Sequence, residues 1–389
     1  MYNIKKLNKI SETVYAQLPK DNYLVSSHME DSDADAFLVR SASCHEMELS
    51  DKVLAFARAG AGVNNIPIDK CTDKGIVVFN TPGANANAVK EMVICALLAV
   101  SRNIIQGAEW AKTLDPSDPE IAKKVEKGKS QFVGPEIKGK TLGVIGLGAI
   151  GVMVANAAHY LDMDVIGYDP YVSVDSAWHL SKSVKRAMTL DELLQVSDYI
   201  TVHVPLMEKT KNYLSGHEFS KMKEGVYVLN FARGGIVNEQ ALFDALESGK
   251  VAKYITDFPD GELLTHENVV NIPHLGASTP ESEENCAVMA SRQLREYIEY
   301  GSIKNSVNMP ECILGPAEHY RIALIHKNLP NMVGQISALV AAKHVNIEQM
   351  TNKSKNQIAY TVLDLSEKLD EETLKKLNEI DGMVKIREI

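Results

Sequence analysis

Short apolar runs alternate with longer amphipathic stretches along most of the chain. Residues 142–145 form a continuous apolar run, which predicts a buried strand. Residues 150–161 then carry apolar side chains near helical spacing, and residues 165–168 predict a second strand. Further strands are predicted at residues 198–206, 226–235 and 269–276. This regular alternation predicts a parallel, doubly wound sheet.

The first part of the chain shows the same alternation on a smaller scale. Apolar runs that end in polar or glycine-containing turns predict strands at residues 36–41, 54–63 and 75–85. Residues 91–102 predict a buried helix, whereas the charged residues 115–129 predict a solvated connection. Thr279 and Pro280 suit a helix cap and first turn, and that helix is predicted to run to about Tyr300, before Gly301.

Residues 319–389 follow a different pattern. Two helices are predicted, at residues 332–342 and 369–380, and a turn is predicted at residues 352–356. Strands are predicted at residues 321–326, 347–350, 358–365 and 383–389. The order β-α-β-β-α-β is that of a ferredoxin-like α+β domain. The predicted fold class is therefore α/β, with two Rossmann-like doubly wound parallel-sheet domains and this C-terminal domain.

The net charge of −10 over 389 residues argues against nucleic acid and anionic membranes as partners. A small anionic substrate must therefore meet a local cluster of arginine or lysine. The five cysteines are scattered, which fits a reducing compartment and argues against a metal site. The first residues lack the apolar run of a signal peptide, and no stretch is long enough to span a membrane, so we predict a cytoplasmic protein.

The three glycines after the strand at residues 142–145 have the spacing of a dinucleotide-binding loop. Gly146 permits the tight turn, Gly148 lets the backbone approach a pyrophosphate, and Gly151 lets the helix pack against the strand. Asp169 ends the second strand, where an acidic group accepts hydrogen bonds from a ribose. Its charge repels a 2′-phosphate, so the predicted cofactor is NAD. A glycine-rich turn without a ligand is the alternative.

Three residues near later strand ends have the chemistry that hydride transfer at a 2-hydroxy acid requires. Arg233 can bind a carboxylate through two hydrogen bonds. His274 is of the residue type that exchanges protons near neutral pH, and Glu262 could hold its imidazole as a counter-ion. A structural histidine and a solvated glutamate are the alternatives for the last two residues.

The motifs GLGAIG, VHVPL, NFARGGIVNEQAL and PHLGAST occur in an order that resembles the D-isomer-specific 2-hydroxyacid dehydrogenases. The resemblance covers nearly the whole chain. It implies that Arg233 binds the substrate carboxylate and that His274 is the acid/base. Glu262 matches the family's partner glutamate by its offset from Asp257, and Asp260 is the alternative.

The resemblance also implies a larger set of site residues. Predicted NAD-binding residues are Gly146, Gly148, Ala149, Ile150, Gly151, Asp169, Pro205, Thr210, Ala232, Asp257, His274 and Gly276. Predicted substrate-binding residues are Arg40, Ser41, Arg58, Gly60, Asn80 and Asn85. Two arginines in this second set would supply the positive charge that a phosphorylated acid needs. Each of the two could instead belong to a structural ion pair.

The family fold implies a discontinuous substrate-binding domain, residues 1–97 and 277–305, with the NAD-binding domain, residues 98–276, inserted between. Closure of the cleft between them would exclude water. Residues 306–318 are then a linker to residues 319–389, which resemble the ligand-sensing ACT domain. His326, Asn328 and Asn346 match positions that hold serine in related dehydrogenases, and Asn331 can take the left-handed conformation that the family's turn needs. Such domains pair edge to edge, so we expect a homo-oligomer. Dimerisation without effector binding is the alternative.

The implied reaction is the NAD-dependent oxidation of 3-phospho-D-glycerate to 3-phosphooxypyruvate, which opens the phosphorylated route to serine. Two alternatives remain open. One is a hydroxypyruvate or glyoxylate reductase of the same superfamily. The other is a binding protein that senses NADH without turnover.

Overall fold

The computed structural model describes all 389 residues and divides them into two compact units. One unit comprises Met1–Asn85 with Pro280–Ile389, and the other comprises Ala86–Thr279. Residues 1–85 contain helices α1 (Val14–Gln17) and α2 (Ile68–Asp73). Their strands are β1 (Tyr2–Leu7), β2 (Tyr23–Ser26), β3 (Ala36–Val39), β4 (Ala55–Arg58) and β5 (Val77–Phe79). These form a parallel sheet in the order β2-β1-β3-β4-β5.

The second unit holds a larger parallel sheet. Its strands are β6 (Thr141–Ile145), β7 (Asp164–Tyr168), β8 (Lys185–Arg186), β9 (Tyr199–Val202), β10 (Val226–Asn230), β11 (Val251–Thr256) and β12 (Val269–Asn271). Its helices are α3 (Ala86–Ser101), α4 (Ile104–Lys112), α5 (Ile121–Gly128), α6 (Ala149–Tyr160), α7 (Val174–His179), α8 (Leu190–Val196), α9 (Gly216–Lys221) and α10 (Glu239–Glu247). The strand order is β12-β11-β10-β9-β6-β7-β8, which confirms a doubly wound parallel sheet.

The chain then returns to the first unit. Helix α11 (Pro280–Tyr300) ends where Gly301 takes a φ of 72°, as predicted. The elements that follow are β13 (Tyr320–Lys327), α12 (Met332–Ala341), β14 (Ile347–Lys355), β15 (Ile358–Leu365), α13 (Glu371–Asn378) and β16 (Met383–Glu388). They confirm the β-α-β-β-α-β order, in an antiparallel sheet β14-β15-β13-β16. The predicted domain boundaries near residues 97, 277 and 306 stay predictions.

Two local predictions are wrong. The polar residues 352–355 belong to β14, and the turn comes at Asn356 with a φ of 56°. Because β14 is an exposed edge strand, it does not need apolar side chains. The charged stretch at 115–129 contains α5, since lysine, glutamate and alanine favour helix, and charge indicates exposure rather than the absence of structure.

The two central strands of the C-terminal sheet, β13 and β15, are buried on both faces. Ile322 and Leu324 of β13 pack with α12 and α13, whereas Ala323 and Ile325 join a core with residues of α11 and the first sheet. Successive side chains of a strand point to opposite faces, so a strand covered on both sides must be continuously apolar. The predicted domain at 319–389 therefore shares a core with residues 1–85.

The end of α11 is held by this sheet through hydrogen bonds. The last carbonyl groups of a helix have no partner within it. Arg387 donates to the carbonyls of Tyr297 and Ile298, and Arg321 donates to that of Tyr300 at 2.9 Å. Arg321 also forms a buried two-bond ion pair with Asp364 at 2.6 and 2.7 Å. These contacts tie the helix end to the C-terminal strands.

None of the helices combines the length and apolar character needed to cross a membrane. All five cysteines are free thiols.

Removal of the Tyr360 hydroxyl should destabilise the first unit. That hydroxyl is buried and donates to the Gly301 carbonyl at 2.8 Å. Tyr360→Phe leaves a buried acceptor without a partner, which costs about 1–3 kcal/mol. We expect a lower urea midpoint at unchanged slope. Tyr320→Phe is the matched control, because its hydroxyl bonds the exposed Glu388, and it should stay within about 0.5 kcal/mol of wild type. Equal effects of the two variants would contradict this account.

Candidate active site

The glycine-rich loop joins β6 to α6 in the second unit. Gly146 has a φ of 92°, which side chains other than glycine rarely adopt. A Cβ on Gly151 would overlap the carbonyl oxygen of Gly146, so this glycine is required for helix packing. Gly148 differs, because a Cβ there would meet no protein atom within 4 Å and its φ is −75°. The protein itself therefore gives no reason for glycine at 148, and the open space lies at the first turn of α6.

Asp169 closes this loop from the end of β7. One carboxylate oxygen accepts from the Leu147 N–H at 2.8 Å, and the other accepts from the Tyr171 N–H at 2.8 Å. The side chain remains partly exposed. Asp169 thus holds the loop and places a negative charge beside it.

The loop after β9 is organised by Thr210. Its hydroxyl donates to the Pro205 carbonyl at 2.5 Å and accepts from the Met207 N–H at 2.8 Å. His203 precedes this turn, and one ring nitrogen lies 3.0 Å from the Thr201 hydroxyl. Burial lowers the pKa of His203 to about 3, so its imidazole is neutral. This agrees with a structural role.

The loop after β10 carries Arg233 on its exposed side. Asn230, the last residue of β10, is buried and bonds this loop twice. Its amide oxygen accepts from the Ala232 N–H at 3.1 Å, and its amide nitrogen donates to the Arg233 carbonyl at 2.9 Å. The Arg233 guanidinium in turn donates to the Ala232 carbonyl at 2.7 Å. Its remaining donors face outward, where they can bind a carboxylate.

The residues after β11 and β12 bring His274 next to a buried carboxylate. Asp257 is 1% exposed, and one of its oxygens accepts from the Gly276 N–H at 2.9 Å. The other oxygen is buried without a partner. Burial raises the pKa of the Asp257 carboxyl, whereas the hydrogen bond from the Gly276 N–H and the charge of Arg233 oppose that rise. His274 lies two residues before Gly276, whose N–H binds this carboxylate.

The His274 ring is exposed and packs on Phe258, with ring centroids 4.5 Å apart. Glu262 lies in a 3-10 turn, Gly261–Leu264, and its side chain is exposed, as is that of Asp260. Neither carboxylate forms an ion pair with His274 in this structure. Which acid supports His274 stays a prediction, and Asp257 is a further carboxylate to consider, because it binds the N–H of Gly276 two residues after His274.

The predicted substrate residues lie at the carboxyl ends of β3, β4 and β5 in the first unit. Arg40 is half-exposed and pairs with Glu283 of α11 at 2.7 Å. The Arg58 Nε donates to the Asn65 side chain at 3.3 Å, and the Asn65 amide donates to the Ala42 carbonyl at 2.7 Å. Asn65 thus connects the Arg58 side chain with the loop that follows Arg40.

Gly60 and Asn80 shape the space around Arg58. A Cβ on Gly60, whose φ is 145°, would overlap the Arg58 guanidinium. The Asn80 amide donates to the Ala61 carbonyl at 2.7 Å. Ser41 is exposed and Asn85 is partly buried. The structure therefore brings the predicted residues to one edge of the sheet.

The three predicted regulatory residues differ in their surroundings. His326 is 2% exposed, with its two ring nitrogens 2.8 Å from the Lys327 carbonyl and the Thr361 hydroxyl. Burial lowers the pKa of His326, which favours the neutral ring. Asn328 and Asn346 are exposed. Asn331 has a φ of 65°, so asparagine accepts the left-handed conformation that the turn requires.

Three asparagines were missed by sequence reasoning. Asn230 and Asn65 are described above. Asn8 follows β1 with a φ of 73°, and its side chain accepts from the N–H groups of Ser41 and Ala42 at 3.3 and 2.7 Å. Asparagine at a strand end is a common turn residue, so the sequence gives no sign of which loop it will bond.

Comparison with known proteins agrees with this geometry. Residues 94–276 match the family model described as D-isomer specific 2-hydroxyacid dehydrogenase, NAD binding domain. The chain is 35% identical over 346 residues to D-3-phosphoglycerate dehydrogenase of Methanocaldococcus jannaschii, covering 86% of this chain and 62% of that protein. It is 32% identical over 353 residues to a putative D-3-phosphoglycerate dehydrogenase of Schizosaccharomyces pombe, covering 82% and 70%. The chain thus spans less than two thirds of the first relative and 70% of the second.

Solved structures of related enzymes also align with this chain. NAD+-bound 3-phosphoglycerate dehydrogenase of Entamoeba histolytica aligns with a TM-score of 0.61 and 25% identity, over 79% of this chain and 98% of that one. A glyoxylate reductase of Paecilomyes thermophila aligns with a TM-score of 0.64 and 26% identity, over 79% and 98%. The chain belongs to the family of D-isomer-specific 2-hydroxyacid dehydrogenases.

Proposed function

We propose that this protein oxidises 3-phospho-D-glycerate to 3-phosphooxypyruvate with NAD. The observation that carries the proposal is that one unit presents Arg233 after β10 and His274, packed on Phe258, next to the segment whose Gly276 N–H binds the buried Asp257 carboxylate. A carboxylate-binding cation and an acid/base within one unit are what oxidation of a 2-hydroxy acid requires. The name D-3-phosphoglycerate dehydrogenase, carried by the relatives above, supports the phosphorylated substrate.

The second unit fits a dinucleotide. The open space at Gly148 admits a pyrophosphate at the N-terminus of α6, where backbone N–H groups and the helix dipole favour negative charge. Asp169 would accept from a ribose hydroxyl and repel a 2′-phosphate. The unpartnered Asp257 oxygen would be available to accept a hydrogen bond from the bound cofactor. Gly276, Ala232, Thr210 and Pro205 would line the same cofactor.

Three residues of the chain have separate roles in the proposed reaction. Arg233 binds the substrate carboxylate through two N–H donors and so fixes the orientation of C2. His274 would take the proton of the substrate 2-hydroxyl. The buried Asp257 carboxylate would stabilise the imidazolium that results, because opposite charges attract. NAD supplies the hydride acceptor when bound.

The substrate phosphate would be bound by Arg40 and Arg58. A net charge of −10 would otherwise repel a phosphorylated acid, so positive charge must be local. Guanidinium groups suit phosphate because they donate paired hydrogen bonds. Arg40 would have to share its charge between the phosphate and Glu283.

We assign residues 319–389 to regulation by serine and to assembly. Asn328 and Asn346 present exposed amides that could bind an amino acid, and His326 lies two residues before Asn328 in the chain. The exposed edge strand β14 offers unpaired backbone groups to a second copy of the chain. An enzyme of this kind with free thiols fits the cytoplasm.

His274→Ala should abolish turnover and leave cofactor binding intact. Loss of a general acid/base typically lowers kcat 10²–10⁴-fold, so we expect a fall of about a hundredfold or more. Steady-state rates and NADH fluorescence titration measure the two effects. His217→Ala is the matched control, since this exposed histidine on α9 lies outside the proposed site. Turnover within threefold of wild type would remove His274 from the mechanism.

Asp257→Asn should stabilise the protein most at neutral to alkaline pH. Burial raises the pKa of the Asp257 carboxyl in the folded state, so its stabilising contribution is lost as pH rises through that value. Asparagine keeps an acceptor for Gly276 without the charge. We expect its melting temperature to exceed that of wild type at pH values above the raised pKa of Asp257, with the gap closing as the pH falls through that pKa.

Asp260→Asn removes an exposed carboxylate and should show no such pH dependence. A lower melting temperature of Asp257→Asn at every pH would mean that the charge is needed for folding.

Initial rates with NAD, 3-phosphoglycerate and D-glycerate test the substrate, and added serine tests the regulator. We expect turnover of the phosphorylated acid alone and inhibition by serine. Activity on D-glycerate only would support the reductase alternative and make Arg40 and Arg58 structural. Turnover without any response to serine would remove the regulatory assignment and keep the enzyme. NADH binding without turnover would support the sensor alternative.

A further inference from the structure

The position of the Arg233 guanidinium depends on side chains that touch neither cofactor nor substrate. The residues between β10 and Ile236 form a short loop, here called the arginine loop, residues 231–235. Apart from Phe231, which is buried, its members are exposed or partly exposed. Its position must therefore be set by contacts on its inner side.

Packing does not fill that inner side. A cavity with about 20 Å³ of room lies behind the loop, lined by Asn230, Gly234, Gly235, Tyr254 and Phe258 among others. Such a volume holds about one water molecule. A Cβ on Gly234 would come no closer than 3.8 Å to Phe258, so no side chain packs tightly against this part of the loop. Phe231 and Ala232 pack at the start of the loop, so hydrogen bonds must fix the residues that follow them.

The Asn230 side chain supplies those hydrogen bonds. It accepts from the Ala232 N–H and donates to the Arg233 carbonyl, at 3.1 and 2.9 Å. The Arg233 guanidinium donates to the Ala232 carbonyl. The Asn230 amide therefore fixes the backbone of Arg233 directly, and it fixes the side chain of Arg233 through Ala232.

Tyr254 fixes the amide itself. Asn230 has two N–H donors, and the second donates to the Tyr254 hydroxyl at 3.1 Å. Tyr254 lies in the neighbouring strand β11 and is 3% exposed, so its ring is held by the sheet. Its hydroxyl also bonds Thr256, whose own hydroxyl accepts from the Phe258 N–H at 3.0 Å. The network thus reaches from the arginine loop to the ring that packs on His274.

We propose that Tyr254 and Asn230 are positioning residues that hold the Arg233 guanidinium in the geometry for binding the substrate carboxylate. This proposal rests on the proposed function of Arg233. A guanidinium that binds a carboxylate through two hydrogen bonds must be placed accurately. A displacement of about 1 Å can lower the rate of the reaction by a large factor. Tyr254 should therefore affect substrate binding while leaving the cofactor unaffected.

The test compares Tyr254→Phe with Tyr227→Phe. Tyr227 is a matched control, because it lies in β10 of the same sheet and stacks on Tyr199, away from the arginine loop. Loss of one hydrogen bond that orients a charged group should raise KM for the hydroxy acid about three- to tenfold in Tyr254→Phe. The dissociation constant for NADH should stay at the wild-type value, whereas the melting temperature should fall, because the buried Asn230 amide loses a partner. Tyr227→Phe should change none of the three.

A double mutant tests whether Tyr254 acts through Asn230. Asn230→Ala should lower kcat/KM more than Tyr254→Phe does, and adding Tyr254→Phe to it should cause no further loss. An unchanged KM in Tyr254→Phe, or a parallel rise in the dissociation constant for NADH, would overturn the proposal. If Asn230→Ala does not fold, Tyr254→Phe alone tests the proposal. A raised KM for the hydroxy acid with an unchanged dissociation constant for NADH would then support it.

The positioning role can be tested even if the proposed reaction is wrong. If the wild type oxidises no 2-hydroxy acid, the same variants are compared by oxalate binding in the presence of NADH. Weaker oxalate binding in Tyr254→Phe, but not in Tyr227→Phe, would retain the positioning role. Equal oxalate binding in all three proteins, or none in the wild type, would overturn it.

Discussion

Burial of parallel strands on both faces is the constraint on which the rest of this structure depends. Parallel strands need long crossover connections, and these cover the sheet with helices. Polar side chains are then few in the central strands and concentrate where each strand ends. Because parallel strands all point the same way, those ends lie along one edge. Asp169, Arg233 and Asp257 follow β7, β10 and β11 for this reason, and Arg40 and Arg58 follow or end β3 and β4.

Charge in the second unit is controlled by how deeply each group is buried. Arg233 and His274 are exposed, whereas Asp257 is almost completely buried and has one oxygen without a partner. A buried carboxylate is costly, and the structure offsets part of that cost with the Gly276 N–H and the charge of Arg233. The buried charge lies where the proposed chemistry needs a negative group beside an imidazole.

The C-terminal domain is integrated into the first unit rather than attached to it. One face of its sheet packs on its own helices, and the other completes the core of α11 and the first sheet. Helix α11 reaches from Glu283, which pairs with Arg40, to Tyr300, which accepts from Arg321. A change in the C-terminal sheet is thus connected to the proposed phosphate-binding residues through one helix.

The sequence by itself determined the alternation of strands and helices, the glycine loop with Asp169 and the β-α-β-β-α-β order, because these follow from local spacing and turn chemistry. Tertiary structure decided which side chains meet. Asn65, Asn230 and Tyr254 bond residues in other loops or strands, and no local pattern records such partners. Burial likewise decided that Asp257 lies near His274 while Glu262 is exposed, since exposure depends on elements distant in the chain. The sequence did not predict the strand at 352–355 for the same reason. An edge strand that is exposed to solvent carries no apolar pattern from which it could be identified.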